Sequence, residues 1–345
     1  MEEQTIIFDD AIQRIPNTWM ELYALSPTEI VQNAFSIHFN KFHTYDRIMV
    51  SVSGGSDSDI LIDMVERIGY KKGSVVYVFF NTGIEYQATK DHLDYLEKKY
   101  NIEIVRRYAK MPTTVACKKY GQPFLSKMIS ENISRLQAHN FKWEDKPFEE
   151  LLQEYPRCKS ALKWWCNEWG KNSQSNINRR FGLKEFMVAF PPDFKISNKC
   201  CTKSKKDTAQ LFAKEFDPDL DVQGVRKAEG GARAMAYTSC FDKTFCGCDR
   251  LRLLYWFTDK DKESYNKTFG IKNSKCYTDY GLKRTGCACC PYGKDFEKEL
   301  EAARKYEPKL YLAACKTFGD SYEYTRKYIK FRDELKQNKK GVGDE

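Results

Sequence analysis

The chain has 345 residues, enough for one large domain or two small ones with a substantial core. At 41% hydrophobic and 30% charged, with 19 Gly and 11 Pro, it is not collagen-like, coiled-coil or disordered. The longest apolar run, residues 75–80, falls far short of the roughly 18 residues of a membrane span, so no membrane partner is expected. Met1-Glu2-Glu3 is acidic rather than a basic stretch ahead of an apolar one, and the expectation is a cytoplasmic protein. A net charge of +9 favours polyanionic ligands but decides nothing alone. The 13 cysteines say more. Ten of them lie from Cys200 onward, and without secretory features such a set reads as metal or redox chemistry rather than disulfides.

In chain order, residues 27–44 carry Ile30, Val31, Ala34, Phe35, Ile37, Phe39 and Phe42 at helical spacing. Residues 47–53 read as a buried strand running into Gly54-Gly55, and helical spacing resumes through Ile60, Leu61, Met64, Val65 and Ile68. A second strand, 74–80, ends at Asn81-Thr82-Gly83, with a helix to about Tyr100 and a third strand over 102–108. Alternation of this kind indicates an α/β fold, a doubly wound parallel sheet with helices on both faces. Residues 141–185 are helical in pattern and rich in Trp (Trp143, Trp164, Trp165, Trp169), which suggests an insertion or lid. A strand returns at 221–225. From about Ser239 the chain is loop-rich and cysteine-rich, then helical from Phe296 into a basic tail. The expected domains are an N-terminal extension (1–26), a nucleotide-binding domain (27–238) with the insertion, and a cysteine-rich segment with the tail (239–345). Residues 326–340 hold seven Lys/Arg against two acids, most simply a solvated helix face.

Ser53-Gly54-Gly55-Ser56-Asp57-Ser58 sits between strand and helix, and that placement carries chemistry. Glycines let several N–H groups approach an anion, with the helix N-terminus adding positive potential. The serine hydroxyls can donate, and Asp57 could hold Mg²⁺ on a polyphosphate. The plainer reading is a Gly-Gly turn with a polar helix cap. These residues resemble the PP-loop signature, Ser-Gly-Gly-x-Asp-Ser, of the adenine-nucleotide alpha hydrolase superfamily. Family members often carry Lys at x, where this chain has Ser56.

Three further stretches sharpen the resemblance. Phe79 to Glu85 is similar to the "DTG-x-E" strand end of phosphoadenosine phosphosulfate (PAPS) and adenosine phosphosulfate (APS) reductases, with Asn81 in place of Asp. Gly224-Val-Arg226-Lys-Ala-Glu229-Gly-Gly-Ala-Arg233 resembles their "G-x-R-x-x-E-S-x-x-R" segment. Trp256, Thr258, Asp261 and Tyr265 resemble their "W-T-x-x-D-x-x-x-Y" helix start. The ordered set spans residues 27 to 295. It implies an adenine nucleotide (ATP, APS or PAPS) held by residues 53–58, Asn81, Thr82, Gly83, Arg226, Glu229 and Arg233. Either arginine could instead serve an ion pair with an acid such as Glu229.

Cys200-Cys201 and the distant Cys287-x-x-Cys290 can hold an iron–sulfur cluster, since two thiolate pairs suffice. The resemblance to assimilatory APS reductases implies a [4Fe-4S] cluster on Cys200, Cys201, Cys287 and Cys290. A structural zinc site through Cys240, Cys246 or Cys248 competes, as does a foursome of Cys201, Cys248, Cys287 and Cys290. Single cysteines such as Cys117 and Cys158 read as buried and inert.

Sulfonucleotide reductases carry a nucleophilic Cys in a Glu-Cys-Gly-x-His type tail, whereas Lys339 to Glu345 holds neither Cys nor His, and the last cysteine is Cys315. No catalytic residue is assigned. The expected function is that of a PAPS reductase-family enzyme in sulfur transfer or sulfonucleotide chemistry, with Mg²⁺ if ATP is the nucleotide. A thiol or electron-donor protein and nucleic acid are the other partner classes. The alternatives are an ATP pyrophosphatase that thiolates nucleic acid and a non-catalytic nucleotide or redox sensor.

Overall fold

The structure, a computed structural model, describes residues 6–8, 11–13, 19–68, 75–230, 236–244 and 247–341. It divides into two compact units. The first comprises Met1–Asn81, Glu85–Tyr108 and Thr208–Gly286, and the second Thr82–Ile84, Ala109–Asp207 and Cys287–Glu345.

In the first unit a short antiparallel hairpin, β1 (Ile6–Phe8) and β2 (Ala11–Gln13), precedes the main sheet. The sheet comprises β3 (Ile48–Val52), β4 (Val75–Asn81), β5 (Ile104–Tyr108), β6 (Leu220–Gln223), β7 (Phe241–Asp242) and β8 (Asp249–Leu251), in the order β5-β4-β3-β6-β8-β7. Every pairing is parallel except β7 with β8. Strands buried on both faces read as near-continuous apolar runs, and Ile48-Met-Val-Ser-Val52 is one. Ile48, Val50 and Val52 face a core built with helices α1 (Glu29–Phe42), α2 (Ser56–Arg67) and α3 (Gln87–Tyr100). Met49 points the other way, onto Val78 and Phe212 of helix α4 (Asp207–Phe216). The sheet is doubly wound, as the alternation of the sequence indicates.

The chain leaves β3 toward β4 and β5 and returns to β6 on the opposite side. The switch in strand order therefore falls between β3 and β6, where a doubly wound sheet opens its ligand crevice. The loop after β3 is residues 53–55; the loop after β6 begins at Gly224.

The second unit has a core of its own. Trp164 and Trp165 are fully buried with Phe124, Ile133, Leu162 and Phe186, and Tyr324 and Tyr328 of the long helix α6 (Pro308–Gly341) close it. The Trp-rich segment is thus a helical core around Lys159–Trp165 and Leu183–Ala189. Of its four tryptophans only Trp169 is exposed.

Candidate functional site

The loop after β3 turns through Gly54, whose φ of +65° and whose Cβ position, 2.6 Å from Thr89 Cγ2, exclude a side chain. Gly55 is tight for another reason: a Cβ there would lie 2.7 Å from Thr285 Oγ1, 3.2 Å from the Tyr277 hydroxyl and 3.3 Å from Ser53 Oγ. Three hydroxyls thus ring one backbone position. The Ser56 N–H donates to the Tyr277 hydroxyl at 3.1 Å, and the Ser53 N–H to Ser58 Oγ at 2.9 Å. Ser58 is therefore spent on closing the loop. The N–H groups of Gly54, Gly55 and Asp57 have no hydrogen-bond acceptor among the described residues. They head α2, where unpaired N–H groups and the helix dipole favour an anion.

Charge gathers at the same place. Arg226, on the loop after β6, brings Nε to 3.1 Å from Asp57 Oδ1 and donates from Nη1 to Asp259 Oδ1 at 2.9 Å. Its side chain is only 8% exposed, and its Nε N–H makes no hydrogen bond of good direction among the described residues. Burial works against the guanidinium charge, but Asp57 and Asp259 more than restore it and raise its pKa. The Glu229 carboxylate accepts from the Arg226 backbone N–H at 3.2 Å, which fixes the turn. A second cation comes from a position the sequence reading passed over. Lys262, on helix α5 (Asp259–Phe269), donates to Asp57 Oδ1 at 2.7 Å and to Ser56 Oγ.

The helix start around Thr258 serves to position. Thr258 and Asp261 cap α5 reciprocally, Thr28 donates to Asp261 at 2.8 Å, and the buried Tyr265 hydroxyl donates to Asp63 of α2 at 2.7 Å. Asp63 also accepts from Arg67 and Tyr100, which ties α2, α3 and α5 together behind the loop.

Asn81 ends β4, beside β3 in the sheet. Thr82 and Gly83 fall in the second unit, where Thr82 accepts from the Thr113 N–H through its carbonyl and meets Cys287 Sγ at 3.4 Å. Arg233 lies outside the described residues, as does Cys246.

All four expected metal ligands lie in the second unit. Cys200 hydrogen-bonds with Cys201 and Cys117, and Cys290 acts on it electrostatically. Thr113 joins the remaining thiol to this group: its hydroxyl is 3.9 Å from Cys287 Sγ and 3.1 Å from Ser204 Oγ, which in turn donates to the Cys200 carbonyl at 2.7 Å. Cys117 follows Thr113 by one helical turn, on the helix Thr113–Tyr120. The thiol of Cys117 and then burial push the Cys200 thiol far above its ordinary pKa. Cys201 rises likewise, chiefly through Cys200, while Lys127 and Lys205 pull it down. Neutral thiols packed on one another are the arrangement a cation would reverse, because a bound metal deprotonates its thiols outright. Among the described residues no three Cys, His, Asp or Glu stand at metal-holding spacing. The set fits a sulfur-liganded centre by its donor chemistry, with five thiols and no imidazole. Cys200-Cys201 opens directly into a π-helical stretch, Thr202–Lys206, of a kind often found at functional sites.

The other cysteines fall elsewhere. Cys240, Cys248 and Cys276 belong to the first unit. Cys289, at φ +54°, is buried and donates to the Glu299 carbonyl. Cys315 is half-buried on α6 and hydrogen-bonds with Tyr311 one turn earlier.

Residues 47–163 match the phosphoadenosine phosphosulfate reductase domain. No curated protein matches the chain. Among solved structures, PAPS reductase from Candida auris in phosphate complex aligns at 13% identity over 79% of this chain and 97% of its own, with a TM-score of 0.41. The FMN adenylyltransferase of Candida glabrata with FMN and the ATP analogue AMPCPP aligns at 10% over 78% and 71%, TM-score 0.40. The U34-tRNA thiolase NcsA of Methanococcus maripaludis with its [4Fe-4S] cluster aligns at 12% over 88% and 80%, TM-score 0.36. The likeness to the phosphoadenosine phosphosulfate reductase domain thus rests on residues 47–163 of the 345, the stretch that holds the loop after β3 and the end of β4.

Proposed function

We propose that this protein is an enzyme that binds an adenine nucleotide (ATP, APS or PAPS) at the loop of residues 53–58 and acts in sulfur transfer or sulfonucleotide chemistry. One observation carries the reading. Unaccepted N–H groups at the head of α2 lie at the switch point of a doubly wound sheet, beside the buried Nε of Arg226. A phosphate or sulfate group suits such a place, because it takes several N–H donors and a guanidinium at once. If the nucleotide is ATP, Asp57 is the carboxylate available to Mg²⁺, the remaining ligands being phosphate oxygens and water.

Cys200, Cys201, Cys287 and Cys290 are the residues we assign to a [4Fe-4S] cluster, with Lys127 and Lys205 offsetting thiolate charge at Cys201. Such a cluster supplies one-electron chemistry or electrostatic bias, depending on its surroundings.

The test is an anaerobic preparation titrated with ATP, APS and PAPS by calorimetry, followed by product analysis. Sulfite release with a thiol donor selects sulfonucleotide reduction; pyrophosphate release selects adenylation. Absence of binding by all three nucleotides sinks the reading.

A further inference from the structure

The loop of residues 53–58 holds no lysine of its own, and one reaches it from elsewhere in the chain. Lys262 comes from α5, 206 positions away in sequence, and its ammonium sits on both Ser56 Oγ and Asp57 Oδ1. Its side chain is 20% exposed, so the ammonium is held in the crevice rather than spread into solvent. Its location has a local cost: Lys262 falls in the first turn of α5, where the helix dipole disfavours a cation.

The neighbours make this an anion site rather than a closed ion pair. Asp57 is a single carboxylate facing two cations, since Lys262 and the Nε of Arg226 both address Oδ1. Arg226 has a second acid, Asp259, but that carboxylate is almost wholly exposed, where water screens it. On the buried side, two cations and the unaccepted N–H groups of Gly54, Gly55 and Asp57 stand against one acid. The whole of α5 is braced for this: Tyr265, one turn beyond Lys262, is pinned to Asp63.

We infer that Lys262 is the phosphate-contacting lysine of this site, supplied from α5 in place of one on the loop, with Asp57 as its counterion until a nucleotide's phosphate or sulfate group replaces it. The inference rests on the adenine-nucleotide reading and names the group that selects the charged end of that ligand.

The experiment compares wild type, Lys262→Gln, Lys262→Arg and the double variant Ser56→Lys/Lys262→Gln. Each is titrated with ATP, APS and PAPS, with adenosine, and with inorganic pyrophosphate, and each is checked for its folded signature by circular dichroism. Lys262→Gln should weaken the nucleotide and pyrophosphate by about tenfold or more, since a hydrogen bond to a charged group is lost. Adenosine should bind as in wild type. Lys262→Arg should keep much of the affinity, and lysine returned to the loop in the double variant should recover it. An unchanged affinity in Lys262→Gln, or an equal loss for adenosine and nucleotide, would make Lys262 a structural ion-pair partner and overturn the inference. If wild type binds pyrophosphate in a Lys262-dependent way but no adenine nucleotide, the nucleotide reading fails and Lys262 stands. If it binds neither, both fall.

Discussion

At the scale of single residues, the site is decided by what cannot fit. Gly55 has no room for a Cβ among the hydroxyls of Thr285, Tyr277 and Ser53. Gly55→Val is therefore expected to abolish nucleotide binding while the chain keeps its fold, because the loop is displaced and the N–H cradle filled; calorimetry against a thermal melt checks both parts. A second residue makes a prediction about pH. His38 is fully buried on α1, stacked on Phe42 at 3.7 Å, and neither ring nitrogen has a hydrogen-bond partner among the described residues. Burial, helped by the nearby charge of His43, lowers its pKa from 6.5 to about 3. The folded state then holds His38 neutral, while the unfolded chain takes up a proton below about pH 6.5. Stability falls as the pH drops through that range. Between pH 7 and pH 5 the loss from this one group is about 2 kcal/mol. His38→Phe should flatten the fall in melting temperature over that interval, and an unchanged pH slope would count against the account. Residue-scale reading singles out the glycines and Asp57 because they are adjacent in sequence. It missed Lys262, whose meaning depends on a contact with a loop some 200 residues earlier.

At the scale of elements, strand and helix identities were legible because each has a local cause. Apolar runs of five to seven residues ending at Gly or Asn-Thr-Gly gave β3 and β4, and the 3.6 period gave α1 to α3. The motif around Thr258 reads as a helix start, and its residues form one. Thr258 and Asp261 satisfy the first N–H groups of α5, and Tyr265 anchors it to α2. Thr258→Ala is expected to cost about 1 kcal/mol of stability through the lost cap. It should also weaken nucleotide binding severalfold by loosening Lys262. Paired denaturation and titration curves check this. A stability loss with undiminished affinity would separate the cap from the site.

At the scale of the whole chain, the cysteines are where distant parts of the sequence meet. Cys117, Cys200, Cys201, Cys287 and Cys290 belong to one unit, although they span 174 positions. Anaerobically prepared protein is expected to contain about four iron per chain and equivalent labile sulfide. Cys290→Ser should lose most of it and Cys117→Ser should retain it. Stoichiometric zinc without sulfide would favour a structural zinc centre instead. Cys315→Ser should leave the iron content and any turnover unchanged, since that thiol hydrogen-bonds with Tyr311 on its own helix.

By itself the sequence determined the fold class and the glycine loop between strand and helix, because periodicity and glycine spacing are properties of neighbours along the chain. Only the tertiary structure decided which charges share Asp57, that Glu229 caps the turn at the Arg226 backbone, that Thr82 meets Cys287, and that Cys117 shares a unit with Cys200. Those outcomes turn on side chains brought together by packing. The free energy of burying them is set by partners the chain order does not reveal.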